Sequence, residues 1–233
     1  MAREPGVEKG KQVEKMKRGT VVSIIIAAGL WLMAVPSAQA ETPGKVIVAL
    51  GDSLTAGLGL PQDEAFPAQL EAALKARGHN VTVVNAGVSG DTASAALKRL
   101  DWALPENASA VIVELGGNDA LQGLPPEGTK QALASIIEKV QARGLPVLLA
   151  GMEAPRNMGA DYVEAFRAVY TDLAAEYGVI FYPFFLEGAA LTPGMMQGDG
   201  IHPTGKGVAA IVANIMPKVE ELLARTDAPA PAD

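Results

Sequence analysis

Five short aliphatic runs, Val46–Leu50, Val81–Val84, Ala110–Leu115, Pro146–Ala150 and Val179–Tyr182, recur along the chain, and a segment of helical period follows each. This alternation constrains the fold more than any other feature. Runs that are apolar at successive positions, rather than at alternate ones, predict strands covered on both faces, and strands separated by helices pair in parallel. The helical segments are Phe66–Arg77, a stretch from Thr92, Thr129–Arg143, Asp161–Tyr177 and Gly205–Ala224. Gly78, Gly144 and Gly178 stand where helix C-termini favour a left-handed residue. The predicted class is α/β, with a five-stranded parallel sheet between helical layers.

Open parallel sheets bind ligands beyond the carboxyl ends of their strands, so the residues there are where chemistry is expected. Gly51-Asp52-Ser53-Leu54 follows the first run, Asn85 to Thr92 the second, and Gly116-Gly117-Asn118-Asp119 the third. Asp199-Gly200-Ile201-His202-Pro203 precedes the last helix. Together they supply a hydroxyl, an imidazole, a carboxylate, an amide and backbone N–H groups, the inventory that acyl transfer needs. A serine hydroxyl requires a base, and the base a carboxylate that fixes its tautomer. Ser53 is the candidate nucleophile. After residue 40 there are two histidines, and His79 falls in a Gly-His-Asn turn at the opposite edge of the sheet, which leaves His202 as the base. Asp199, three residues earlier, is its carboxylate partner, and Pro203 biases His202 toward an extended backbone and suits the first turn of the next helix. For the oxyanion the candidate donors are the Ser53 N–H, the N–H of Gly87 or Gly90, and the Asn118 amide, with spacing unable to separate the two glycines. Each of these signals alone is ordinary turn chemistry; their joint occurrence in order along one sheet edge carries the reading.

The same residues resemble the SGNH/GDSL hydrolase family. Gly51-Asp52-Ser53-Leu54, Gly90, Gly117-Asn118-Asp119 and Asp199-x-x-His202 look like its four sequence blocks, and the likeness runs from Val46 to Ile215. Within the family it is nearest to periplasmic thioesterases that also act as lysophospholipases, and to arylesterases. The resemblance implies a flavodoxin-like strand order, a Ser53-Asp199-His202 triad, Ser53, Gly90 and Asn118 as oxyanion donors, and no metal or cofactor. It implies a small acyl ester or thioester as substrate. Asp52 and Asp119 are expected to fix loops rather than react, and Asp91 and Thr92 to begin a helix that holds the Gly90 N–H. Met152, Met158, Met195 and Met196 fit either a soft acyl-binding wall or ordinary core packing. The chain departs from the family in Gly151–Asn157 and at Ala120 and Leu124, which touches substrate preference. A carbohydrate O-deacetylase of the same family is an alternative reading, and a noncatalytic lipid- or glycan-binding protein is one of another class.

Composition narrows the remaining options. With 49% hydrophobic and 19% charged residues, the 233-residue chain suits one globular domain, expected over residues 41–226 with a flexible tail over 227–233. Lys15, Lys17 and Arg18 precede the apolar run Val21–Val35, and Ser37-Ala38-Gln39-Ala40 offers small residues for signal peptidase, so cleavage after Ala40 and a periplasmic or secreted protein are expected. Met16 makes a compact start of its own, leaving residues 1–15 as upstream extension. The apolar run is shorter than the ~20 residues of a spanning helix, which argues against a lasting membrane anchor. Residues after Ala40 carry 13 basic against 23 acidic groups, which disfavours nucleic acid as a partner. Cysteine is absent, which excludes disulfides and thiolate metal sites or nucleophiles. Gly57 and Gly59 begin a dinucleotide-like pattern, but Gln62 replaces its third glycine.

Overall fold

A computed structural model describes residues 44–227. The expected signal segment and the tail beyond Asp227 lie outside the described residues. Strands β1 (Lys45–Gly51), β2 (Val81–Gly87), β3 (Ala110–Glu114), β4 (Val147–Ala150) and β5 (Ile180–Tyr182) form one sheet in the order β2-β1-β3-β4-β5. Every pairing is parallel. Helices α2 (Phe66–Ala76) and α7 (Gly205–Arg225) pack together on one face, and α3 (Ala93–Ala103), α5 (Pro126–Gln141) and α6 (Ala160–Tyr177) pack in sequence on the other.

The successive apolar residues of the runs are buried as their pattern requires. All of β3 and β4 is inaccessible, as is β1 from Ile47 onward. On α7, Val208, Ile211, Val212, Ile215, Met216, Val219, Leu222 and Leu223 recur three or four apart and face the sheet. Each fully buried aliphatic side chain contributes about 1.5–3 kcal/mol over its exposed state. Phe66 at the start of α2 meets Phe185 edge-on at 4.9 Å, joining that helix to the loop after β5.

Register places the site. Gly51, the last residue of β1, pairs with Gly87 of β2 and with Glu114 of β3. The three strands end level, so the loops after them emerge side by side, and strand order reverses between β1 and β3.

Four local features differ from the sequence reading. β2 continues through Asn85-Ala86-Gly87, three residues expected in the loop. Two helices too short to show a period, α1 (Ser53–Ala56) and α4 (Gly117–Leu121), replace simple turns. α5 starts at Pro126 rather than Thr129, since proline is well suited to a first helical turn. Pro203 lies outside α7, which Thr204 caps, and instead forms an antiparallel bridge with Met196.

Candidate active site

Ser53 opens α1 directly beyond β1. The Asp52 carboxylate caps this helix by accepting the Leu54 N–H through Oδ1 at 2.9 Å, which turns the chain sharply and leaves the serine at the sheet edge. The Ser53 Oγ lies 2.9 Å from His202 Nε2, and His202 Nδ1 lies 2.6 Å from Asp199 Oδ2. With Nδ1–H donated to Asp199, Nε2 is left to accept the serine proton.

The His202 loop is held locally. Asp199 Oδ1 accepts the backbone N–H groups of Ile201 and His202 at 2.9 and 3.0 Å, so the carboxylate fixes the turn with one oxygen and the imidazole with the other. The His202 hydrogen bond is the chief reason the Asp199 carboxyl lies well below its usual range, with the two backbone donors next. Gln197 ties the loop to the rest of the site: its N–H donates to the His202 carbonyl at 2.8 Å, and its side-chain amide donates to the carbonyls of Leu58 and Pro203. Nothing in the sequence pattern had singled out Gln197.

On the other side of Ser53 the structure brings together the expected oxyanion donors. Gly90 sits in a turn closed by the Asp91 N–H donating to the Val88 carbonyl, with φ +89°. That conformation suits glycine, and Gly90 lines the cleft. The Gly87 N–H is engaged with Asn85 Oδ1 at 3.0 Å, whereas among the described residues no hydrogen bond engages the N–H of Ser53 or Gly90. The Asn118 amide nitrogen, on α4, donates to Asp52 Oδ2 and to the Asp91 carbonyl, both at 2.9 Å. An oxyanion in front of Asn118 therefore competes with these two acceptors for an amide hydrogen.

Asp52 and Asp119 both serve as loop fasteners. Asp119 accepts the Ala93 N–H at the start of α3 and the Thr129 hydroxyl of α5. Thr92 caps α3, its hydroxyl accepting the Ala95 N–H. Burial is the main force pushing the Asp52 carboxyl up to about 6; the Leu54 N–H, His202 and the Asn118 amide pull the other way.

Beneath Asp52 lies a group the sequence reading passed over. Glu114 ends β3, is 1% exposed, and accepts the Thr55 hydroxyl at 2.7 Å. Burial first and the Asp52 charge second push its carboxyl well above the usual range, so the uncharged acid is favoured. A charged residue closing an otherwise aliphatic run was the available signal. Gly116 follows at φ +110°, and a side chain there would collide with the Tyr170 hydroxyl, which donates to the Leu115 carbonyl.

A cleft of about 370 Å³ opens above Ser53, walled by Leu58, Leu121, Met152, Leu186, Met196 and Ile201. Of the four methionines considered, Met152 and Met196 line it, Met195 packs against the core, and Met158 lies beside Gly123. Leu191 stands at the mouth, 94% exposed and with φ +59°, the one non-glycine residue with positive φ among those described. The described residues include no group of three or more His, Asp or Glu side chains able to hold a metal ion. No described helix is long and apolar enough to cross a membrane.

Residues 49–210 match the profile of the GDSL-like Lipase/Acylhydrolase family. The chain belongs to this family. It is a serine ester hydrolase of the SGNH/GDSL kind. Esterase TesA of Pseudomonas aeruginosa is 41% identical over 184 residues, 78% of this chain and 92% of that protein. Thioesterase 1/protease 1/lysophospholipase L1 of Escherichia coli K12 is 39% identical over 199 residues, 85% of this chain and 92% of the relative. The crystal structure of AlinE4, an SGNH-hydrolase family esterase, superposes with a TM-score of 0.66 at 45% identity, covering 78% of this chain and 98% of the other. As in the family resemblance, the GDSL motif of this chain places its serine at the edge of a five-stranded parallel sheet.

Proposed function

We propose that this GDSL hydrolase cleaves carboxylic esters or thioesters through an acyl-enzyme on Ser53, with His202 as base and Asp199 as its carboxylate partner. The observation that carries the reading is the continuous pair of contacts from Ser53 Oγ to His202 Nε2 and from His202 Nδ1 to Asp199, at the floor of an apolar cleft. Ser53 Oγ bonds to the acyl carbon while its proton passes to Nε2. The oxyanion is held by the N–H groups of Ser53 and Gly90 and by the Asn118 amide. Collapse breaks the bond to the leaving alcohol or thiol, which takes the proton from His202. Water, deprotonated by the same nitrogen, then attacks the acyl-enzyme, releasing the acid and returning the proton to Ser53.

The acyl group is the part of the substrate that the cleft suits. Its walls are mainly aliphatic and thioether side chains, with Glu153 and Ser89 among the polar ones and no Phe, Tyr or Trp among the described residues that line it, and Leu58, Leu121, Leu191 and Ile201 extend the apolar surface onto the rim. Residues 41–226 form the hydrolase domain in this reading. Export to the periplasm or medium rests on the basic residues, apolar run and Ala38-x-Ala40 site that precede it.

A fluorophosphonate probe and a chromogenic ester series from acetyl to palmitoyl, with an acetylated sugar in parallel, test the proposal. Labelling of the wild type but not of Ser53→Ala, with turnover favouring longer acyl chains, is the expected result. Equal labelling of both proteins overturns the nucleophile assignment, and turnover confined to the acetylated sugar overturns the acyl assignment.

A further inference from the structure

The three expected oxyanion donors come from α1, the turn after β2 and α4, and one side chain on α3 links the segments that carry them. Arg99 donates through Nε to Asp91 Oδ2 at 2.6 Å and through Nη2 to the Gly51 carbonyl at 3.1 Å. The pair is shielded, with side-chain exposures of 18% for Arg99 and 14% for Asp91. Its acceptors occupy informative places. Gly51 is the last residue of β1, two before Ser53, and its carbonyl also accepts the Val88 N–H at 3.0 Å. Asp91 directly follows Gly90, and its own carbonyl accepts the Asn118 amide.

From this connectivity we propose that Arg99 is a positioning residue that sets the relative placement of the Ser53, Gly90 and Asn118 oxyanion donors. Each donor is separated from an Arg99 acceptor by at most two residues or by one hydrogen bond. The Val88–Asp91 turn is anchored to β1 at one end by the Val88–Gly51 bond and at the other by the guanidinium. Without the guanidinium, that end keeps only the Asn118 bond to the Asp91 carbonyl, and the turn shifts about the Val88–Gly51 bond. The Gly90 N–H then swings relative to Ser53, and the Asp91 carbonyl no longer holds the Asn118 nitrogen in place. Oxyanion stabilisation depends on donors fixed before the charge develops, so such loosening acts on the transition state more than on substrate binding.

The geometry also explains why the residue is arginine. Two acceptors on different chain segments are met by two different nitrogens of a planar fork, which a single ammonium cannot reproduce. A lysine would keep the charge beside Asp91 and lose the link to Gly51. Charge alone and bracing geometry therefore make different predictions for one substitution.

The inference rests on Ser53 being the nucleophile, and the test separates the two. Wild type, Ser53→Ala, Arg99→Lys, Arg99→Ala and Asn118→Ala are compared with one chromogenic ester, at a temperature well below each variant's unfolding midpoint, with and without ethylguanidinium. Removing one oxyanion donor typically costs about 10²–10³ in turnover, so disturbing donor placement in Arg99→Ala is expected to lower kcat by roughly 10- to 100-fold. KM should stay within about twofold, Arg99→Lys should recover little, and ethylguanidinium should restore several-fold activity to Arg99→Ala but none to Asn118→Ala. Wild-type kcat in both Arg99 variants overturns the proposal, as does full recovery in Arg99→Lys. A loss that follows the folded fraction, or is shared by kcat and KM without guanidinium rescue, assigns Arg99 a purely structural role and also overturns it. Activity surviving in Ser53→Ala strikes instead at the nucleophile assignment.

Discussion

The two sides of Ser53 are built on opposite plans. On one side, Asp199 and His202 lie three residues apart on a single loop, with side-chain exposures of 45% and 15%. The loop's carboxylate is held low by the hydrogen bonds its own turn provides. On the other side, Asp52, Glu114, Asn118 and Arg99 come from four different elements, and the two carboxyls are raised because burial disfavours their charge. Identical chemical groups, Asp52 and Asp199, are thus shifted in opposite directions within one site. The imidazole is oriented by its own short loop, whereas the Asn118 amide is fixed by hydrogen bonds to distant segments at the sheet edge.

If the exposed side supplies the proton chemistry, the largest losses should come from it. His202→Ala is expected to lower kcat about 10⁴-fold or more with an unchanged unfolding midpoint, and Asp199→Asn to lower kcat by up to about 10⁴-fold through the wrong tautomer. Steady-state ester hydrolysis and thermal melts check this together. Asn118→Ala, on the buried side, should cost about 10²–10³ in kcat with little change in KM. A KM effect there would place Asn118 in ground-state binding.

The opposed carboxyl shifts give a contrast readable by stability against pH. Asp52 titrates in the folded protein near 6, above its usual 3.8, so the folded state binds more protons in that interval. Its contribution to stability is greatest below 3.8 and falls as pH rises through 6. Relative to the wild type, Asp52→Asn should gain stability as pH rises from 4 to 6, at up to about 1.4 kcal/mol per pH unit. Asp199 is shifted down, so its contribution is present above 3.8 and is lost as pH falls. Asp199→Asn should therefore show the reverse trend relative to the wild type, and denaturant titrations at several pH values compare the two. The smallest effect is expected from Glu114→Gln, which replaces a largely uncharged acid by its near-isostere: kcat within about threefold and stability within about 1 kcal/mol. Glu114→Ala, which leaves a void and strands the Thr55 hydroxyl, should cost about 2–4 kcal/mol in the same titrations.

The legible parts of this protein are those whose cause is local. Five aliphatic runs and the glycines closing helices gave the layers, and Asp199-x-x-His202 gave a loop that positions its own imidazole. The short helices α1 and α4 escaped because four or five residues carry no period. Gly87 and Gly90 are indistinguishable by spacing, and that β2 runs on to Gly87 and occupies its N–H with Asn85 is visible only in the structure.

Hydrophobic period carried the class of fold, and the scarcity of histidine left His202 as the expected base of Ser53, because both are properties of the chain alone. What holds the loops beside Ser53 in place is set by tertiary structure. Glu114 reads in sequence as one charge at the end of a strand, and Arg99 as one basic residue on a helix. Their partners at Thr55, Gly51 and Asp91 become neighbours only when β1, β2 and β3 end level, since burial and hydrogen bonding between distant segments are set by register rather than by residue type.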